Sequence, residues 1–240
     1  MAFASVYPNW RPPLNVIPCK SPLLTGDTLI RSTLVEFTLD QANVQTLEHD
    51  VFSHVIFAPK HLILNDCSFS SDFVKKIALL IGAHVEELVI CGHRSSTVDL
   101  TQVLSAFPCL ESVYMREVCP PSTWMNDMMP VGRCRFTRLE WLFEGLQFLQ
   151  FTFEELVDFL EAQQNGFNLR ITVYSMTPET TKHLDELEKF LCNSKHLLYE
   201  PGNTLGCDDR TSVTVDAQRK PRRSPKTWSL LKLISRDNAF

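Results

Sequence analysis

Through the middle of the chain one short pattern recurs: an apolar residue, two others, an apolar residue, one other, and a further apolar residue. It appears as Leu34, Phe37 and Leu39, then as Leu62 and Leu64 in KHLILNDC, and as Val85, Leu88 and Ile90 in VEELVIC. It returns as Leu110, Val113 and Met115 in LESVYM, and as Phe136, Leu139 and Trp141 in FTRLEW. The alternation at the end of each unit predicts a short β-strand. The central positions Phe37, Leu62, Leu88, Val113 and Leu139 are 25, 26, 25 and 26 residues apart. Two less regular strands are predicted at Leu169, Ile171 and Val173 and at Leu197 and Tyr199, with Ile171 and Leu197 again 26 apart.

Between the strands the apolar positions change to helical spacing. In SSDFVKKIALLIG, Ser70 or Ser71 is a candidate N-cap, Phe73, Ile77 and Leu80 share a face, and Gly82 offers a stop. In TFEELVDFLEAQQNG, Thr152 and Glu155 stand in capping-box spacing ahead of Leu156, Val157 and Leu160. In TPETTKHLDELEKFL, Thr177 caps, Pro178 occupies the first helical position, and Leu184, Leu187 and Leu191 face inward. A shorter helix near 122–129 is closed by Pro130.

A strand of about five residues with a helix of about ten cannot bury its own apolar face, so neighbouring units must stack. The expected architecture is α/β: a curved strand–helix solenoid with a period of about 26 residues, parallel strands on one side and helices on the other. The longer interval from Leu139 to Ile171 favours the competing architecture, an irregular α/β domain with a mixed sheet.

Composition divides the chain into three zones. Residues 1–27 hold Pro8, Pro12, Pro13, Pro18 and Pro22, five of the 14 prolines, which predicts an extended leader or a strap pinned by Tyr7 and Trp10. Residues 28–200 form the repeat domain. Residues 201–240 carry eight Lys+Arg against four Asp, leaving −9 on residues 1–200 of a chain whose net charge is −5. This zone reads as a basic, largely disordered tail. Its run Arg219, Lys220, Arg222, Arg223 and Lys226 is a candidate for nuclear import or contact with nucleic acid, which makes a nuclear regulatory protein acting through this tail the alternative function, and phosphorylation of Ser224 would weaken either interaction. Trp228, Leu230, Leu231, Leu233 and Ile234 beyond the run are expected to form a small partner-binding helix or a strap over the last repeat. The acidic body argues against nucleic acid as a partner of the folded part.

Little in the sequence points to catalysis. No transmembrane run, export signal, P-loop, dinucleotide fingerprint, GxSxG or HExxH spacing is present, so the expected location is cytoplasmic or nuclear. The 8 cysteines include no CxxC pair and read as reduced, structural thiols. Cys91 and His93 in VICGHR are the one candidate nucleophile and base, set against a plain strand-end loop. No cofactor and no metal is expected. The loops after successive strands would instead share one rim of the solenoid, giving a protein-binding edge at Asn65, Asp66, Arg94 and Arg116. Phe148 is the aromatic candidate within the dense run of Phe143, Phe151 and Phe153.

From residue 34 to about 200, the strands KHLILNDC, VEELVIC, PCLESVYM and FTRLEW, with FTFEELVDFLEAQQNGFNLRITVY, resemble the leucine-rich-repeat-like C-terminal regions of nematode F-box proteins. Cys67 follows the Leu62–Leu64 unit where leucine-rich repeats often have Asn or Cys. The resemblance implies a non-enzymatic module that recruits a substrate to a cullin-RING ubiquitin ligase, with a cullin-RING adaptor as a further partner. In that family a three-helix F-box docks on the adaptor; residues 1–33 show no LP-rich opening followed by an amphipathic helix.

Overall fold

The computed structural model describes residues 30–32, 35–49, 52, 55–82, 84–92, 97–118, 121–129, 136–145, 151–174, 176–200, 210–217 and 225–230. Strands β1 (Ile30–Ser32) and β3 (Val55–Phe57) pair with each other in a small parallel sheet. All other strands join one sheet: β2 (Glu36–Asp40), β4 (His61–Asn65), β5 (Glu87–Cys91), β6 (Ser112–Arg116), β7 (Arg138–Glu144), β8 (Asn168–Tyr174), β9 (Leu197–Glu200), β10 (Ser212–Ala217) and β11 (Lys226–Leu230). Their order is β2-β4-β5-β6-β7-β8-β10-β11-β9, an open nine-stranded sheet. It is parallel from β2 to β10, and β11 runs antiparallel to both its neighbours.

The helices are α1 (Ser71–Ile81), α2 (Leu100–Ala106), α3 (Trp124–Met128), α4 (Phe153–Ala162) and α5 (Pro178–Asn193). From β4 to β8 each strand passes through one helix into the strand beside it, always in the same direction across the sheet. Right-handed crossovers taken in one direction place successive helices on one face.

Local chemistry sets the helix ends. The Ser70 hydroxyl accepts from the Phe73 amide at 3.2 Å and starts α1, and Gly82, at φ 72°, ends it in a region that a side chain would strain. Thr152 and Glu155 form the full capping box of α4. Thr177 caps α5 with Pro178 behind it. Helix α2 had no sequence expectation of its own, yet Asp99 caps it by accepting from the Gln102 amide.

The register follows the sequence spacing. Phe37, Leu62, Leu88, Val113 and Leu139 are direct Cα partners from strand to strand, and the row continues to Leu169 and Val213. A second row runs Leu39, Leu64, Ile90, Met115, Trp141, Ile171 and Val215. Apart from the half-buried Phe37 and Leu39, both rows are buried in one core with Phe73 and Ile77 of α1, Val103 of α2, Trp124 of α3, Phe159 of α4 and Leu187 of α5. Outside the strands the backbone repeats as well. Glu86 and Glu87 amides both donate to the Lys60 carbonyl, Glu111 and Ser112 to that of Glu86, and Thr137 and Arg138 to that of Glu111.

Two expectations for the C-terminal part are corrected. Within 201–240 the described residues 210–217 and 225–230 are not a tail apart from the fold, since β10 and β11 lie inside the sheet and bury Val213, Val215, Trp228 and Leu230. Trp228 and Leu230 accordingly belong to a strand, not to a helix or a strap. The physical signal was the alternation in SVTVDA and KTWSL, β-branched and aromatic residues on both sides of a basic run that dominates the local composition. Nor does the strand at Leu197 follow β8 in space. It forms β9 at the far edge, with β10 and β11 between, because β10 takes the free edge of β8. The even step therefore stops at β7, the next partners Leu139 and Leu169 being 30 residues apart. The sheet is mixed at this end, as the competing architecture expects. The Pro-rich stretch 1–27 and residues 231–240 lie outside the described residues.

Candidate functional site

With the helices on one face, every second strand residue points to the other, where no described helix lies. Three register rows cross that face. The first reads Glu36, His61, Glu87, Ser112, Arg138, Asn168 and Ser212; the second Thr38, Ile63, Val89, Tyr114, Glu140, Arg170 and Thr214; the third Asp40, Asn65, Cys91, Arg116, Leu142, Thr172 and Asp216.

The middle row is apolar on β4, β5 and β6. Ile63 is buried, while Val89 and Tyr114 are half-buried, with Cys91 and Leu142 half-buried in the next row. Around this strip stand exposed charges: Glu36, Asp40, Glu87, Arg116 and Arg138. An apolar centre inside a charged rim is the anatomy of a protein-binding patch.

Arg138, Glu140, Arg170 and Asp216 on β7, β8 and β10 are paired with one another across the face. Glu140, whose side chain is only 9% exposed, pairs with Arg138 and is the register partner of Arg170, which reaches Asp216 at 3.7 Å. The hydroxyls of Thr214 and Thr227 share a hydrogen bond at 3.1 Å, and Asn168 donates to Ser212 at 2.7 Å. On the acidic side His61 Nδ1 lies 3.3 Å from Glu87.

Asn65, Asp66 and Arg116 stand at one edge of the sheet, at the C-terminal ends of β4 and β6. Asn65 Nδ2 donates to Asp40 Oδ1 at 2.7 Å, and Arg116 reaches Glu117 Oε1 at 3.3 Å. The residues just past β2, β4 and β6, namely Gln41, Asp66 and Glu117, all adopt left-handed backbone, with φ of 53°, 51° and 57°. Such a conformation is uncommon away from glycine, and here it turns the chain so that an amide reaches the next strand. Gln41 N donates to Asn65 O at 2.8 Å and Asp66 N to Cys91 O at 2.7 Å.

Other sequence candidates fall elsewhere. Arg94, Phe148, Arg219, Lys220, Arg222 and Arg223 lie outside the described residues, as does His93. Lys226 opens β11 and is ion-paired with Glu188 of α5, so it is a strand residue and not part of a free basic run. Phe143 and Phe151 are core residues, and Phe153 packs on Phe190 with ring centroids 5.5 Å apart. The row Ile63, Val89 and Tyr114 was overlooked in the sequence because each residue fills the "one other" position of the repeat; aligning that column would have exposed its apolar run.

Cys91 lacks the environment of a nucleophile. Burial pushes its thiol up to about 11, against the opposing pull of the Arg116 guanidinium, so at neutral pH it is protonated. Because the folded protein favours the neutral thiol, this group's contribution to stability is complete below about pH 9 and is lost as pH rises through about 11. Alkylation of the native protein at neutral pH should therefore label exposed Cys192 well before Cys91, followed by mass spectrometry of the peptides. Preferential labelling of Cys91 would contradict this. Cys67, also raised by burial, donates its thiol to the Leu39 and Asn65 carbonyls at 3.5 and 3.4 Å. Among the described residues no group of three His, Cys, Asp or Glu is arranged to hold a metal ion, and no helix is long and apolar enough to cross a membrane.

No family model, curated protein or solved structure matches the chain.

Proposed function

We propose that the chain is a non-enzymatic protein-interaction module of strand–helix repeat type, holding its partner on the sheet face opposite the helices. The observation that carries this reading is the row Ile63, Val89 and Tyr114, an apolar strip within a charged rim on the face that no described helix covers. The edge residues Asn65, Asp66 and Arg116 continue that face and would contribute polar contacts at its border. The even spacing of β2 to β7 supports a solenoid-like construction, in which such a face is the usual docking surface. In line with the resemblance to F-box proteins, the partner would be a substrate delivered to a cullin-RING ubiquitin ligase.

The test is capture of partners from extract by the tagged chain and by a Val89→Thr/Tyr114→Thr variant, which puts a strand-compatible β-branched side chain at both positions. Partners retained by the wild type should fall roughly thirty-fold in affinity in the variant, the effect of losing about 2 kcal/mol at an interface centre, with unchanged melting. Recovery of a cullin and its adaptor would support the ubiquitin reading. Partners that bind both proteins equally would overturn the assignment of the face.

A further inference from the structure

We infer that the β2–β4–β5 side of this face receives a Lys/Arg-bearing segment of the protein partner, with an apolar side chain of that segment seated on Val89 and Tyr114. The inference rests on the docking reading above and adds the chemistry of the occupant.

The register divides the face electrostatically. Its nine residues on β2, β4 and β5 are Glu36, Thr38, Asp40, His61, Ile63, Asn65, Glu87, Val89 and Cys91, with three carboxylates and neither Lys nor Arg. Glu36, Asp40 and Glu87 are all exposed, and no described Lys or Arg pairs with any of them. Their polar contacts are with neutral or weakly basic groups, Asn65 for Asp40 and His61 for Glu87. The arginines of the other half are already engaged, Arg116 with Glu117, Arg138 with Glu140 and Arg170 with Asp216. Among the described residues, one half of the face thus carries carboxylates with no Lys or Arg beside them, while in the other half Arg116, Arg138 and Arg170 are each paired with a carboxylate.

Distance makes the acidic half act together. Glu36 and Glu87 stand in the same row two strands apart. That is about 10 Å by strand spacing, within roughly one Debye length at physiological salt. A cation arriving between them feels both, while the adjoining row of Ile63, Val89 and Tyr114 supplies the apolar contact that fixes position. An acidic segment would meet repulsion from all three carboxylates and, among the described side chains, no free guanidinium.

The experiment uses the full chain and two fluorescent peptides: one alternating Lys and Arg with Leu and Tyr, the other with Glu in place of every cation. Anisotropy is read at roughly 50 and 200 mM salt. The basic peptide should bind the wild type at least tenfold more tightly than the acidic one and weaken with salt. Glu36→Gln/Glu87→Gln should lose about tenfold, whereas Glu154→Gln/Asp158→Gln, which removes two exposed acids on α4, should change nothing. Equal loss in both carboxylate variants would overturn the inference as a general effect of the acidic body. Tighter binding of the acidic peptide, abolished by Val89→Thr/Tyr114→Thr, would overturn the charge assignment and leave the docking face standing. Binding indifferent to Val89→Thr/Tyr114→Thr, or no binding of the basic peptide up to about 1 mM, would overturn both.

Discussion

A Leu88→Asp variant is expected to lose cooperative unfolding altogether. Leu88 is 1% exposed, centred between Leu62 and Val113 in the row that faces the helices. Shortening a buried Leu costs about 2–5 kcal/mol through lost transfer energy and the cavity left behind. An unpaired carboxylate at that depth adds several kcal/mol more, or must be protonated. Set against a typical domain stability of about 5–15 kcal/mol, the sum removes most of the folded population. Circular dichroism through a thermal ramp reads the result. The comparison is Leu79→Asp on α1, where the side chain is 83% exposed and the change should stay within about 0.5 kcal/mol. A sharp wild-type-like melt for Leu88→Asp would refute the placement of β5.

Ending the chain at residue 200 is expected to be equally damaging, although the composition beyond that point looks like a dispensable tail. The truncation removes β10 and β11, leaving β8 without its outer neighbour and β9 without its partner. It also removes four buried side chains, Val213, Val215, Trp228 and Leu230. Each contributes about 1.5–3 kcal/mol by burial, so together they rival the stability of a whole domain. The truncated protein should melt without a cooperative transition and expose α5 to rapid hydrogen exchange. Trp228→Ala in the full chain should cost about 3–5 kcal/mol, which separates loss of the core contact from loss of chain length. A truncated protein melting like the full one would show that β10 and β11 add nothing.

The contrast between these variants marks what could be read from the chain beforehand. The core-facing positions of β2 and β4 to β7 were legible, because Phe37, Leu62, Leu88, Val113 and Leu139 face one core at an even step and become Cα partners. Helices α1, α4 and α5 were legible through Ser70, Thr152 and Thr177, whose hydroxyls satisfy the first amides of each helix. The strand order at the C-terminal end was not, since nothing local tells β8 to wait 44 residues for Leu169 to meet Val213. Tertiary pairing decided it over sequence proximity. Asp66 lies past a strand end as its position in the repeat suggests, whereas Asn65 and Arg116, expected in the loops, are the last residues of β4 and β6. The apolar strip of Val89 and Tyr114 was missed because single half-buried side chains look like any other strand position, and only alignment of that column across the repeats brings the strip out.

The late arrival of β10 also has a consequence for synthesis on the ribosome. Each strand from β4 to β8 can pair with one that emerged shortly before it, so that part of the sheet is able to grow in step with translation. β9 emerges next and finds no strand to join, because its neighbour β11 and the cover for the edge of β8 are still to be made. For that interval the nascent protein presents an open edge at β8, together with the apolar stripe Leu184, Leu187 and Leu191 of α5 before its core is complete. The interval between the emergence of residue 200 and that of residue 212 from the ribosome is thus the point at which chaperone demand, and the chance of aggregation, should be greatest.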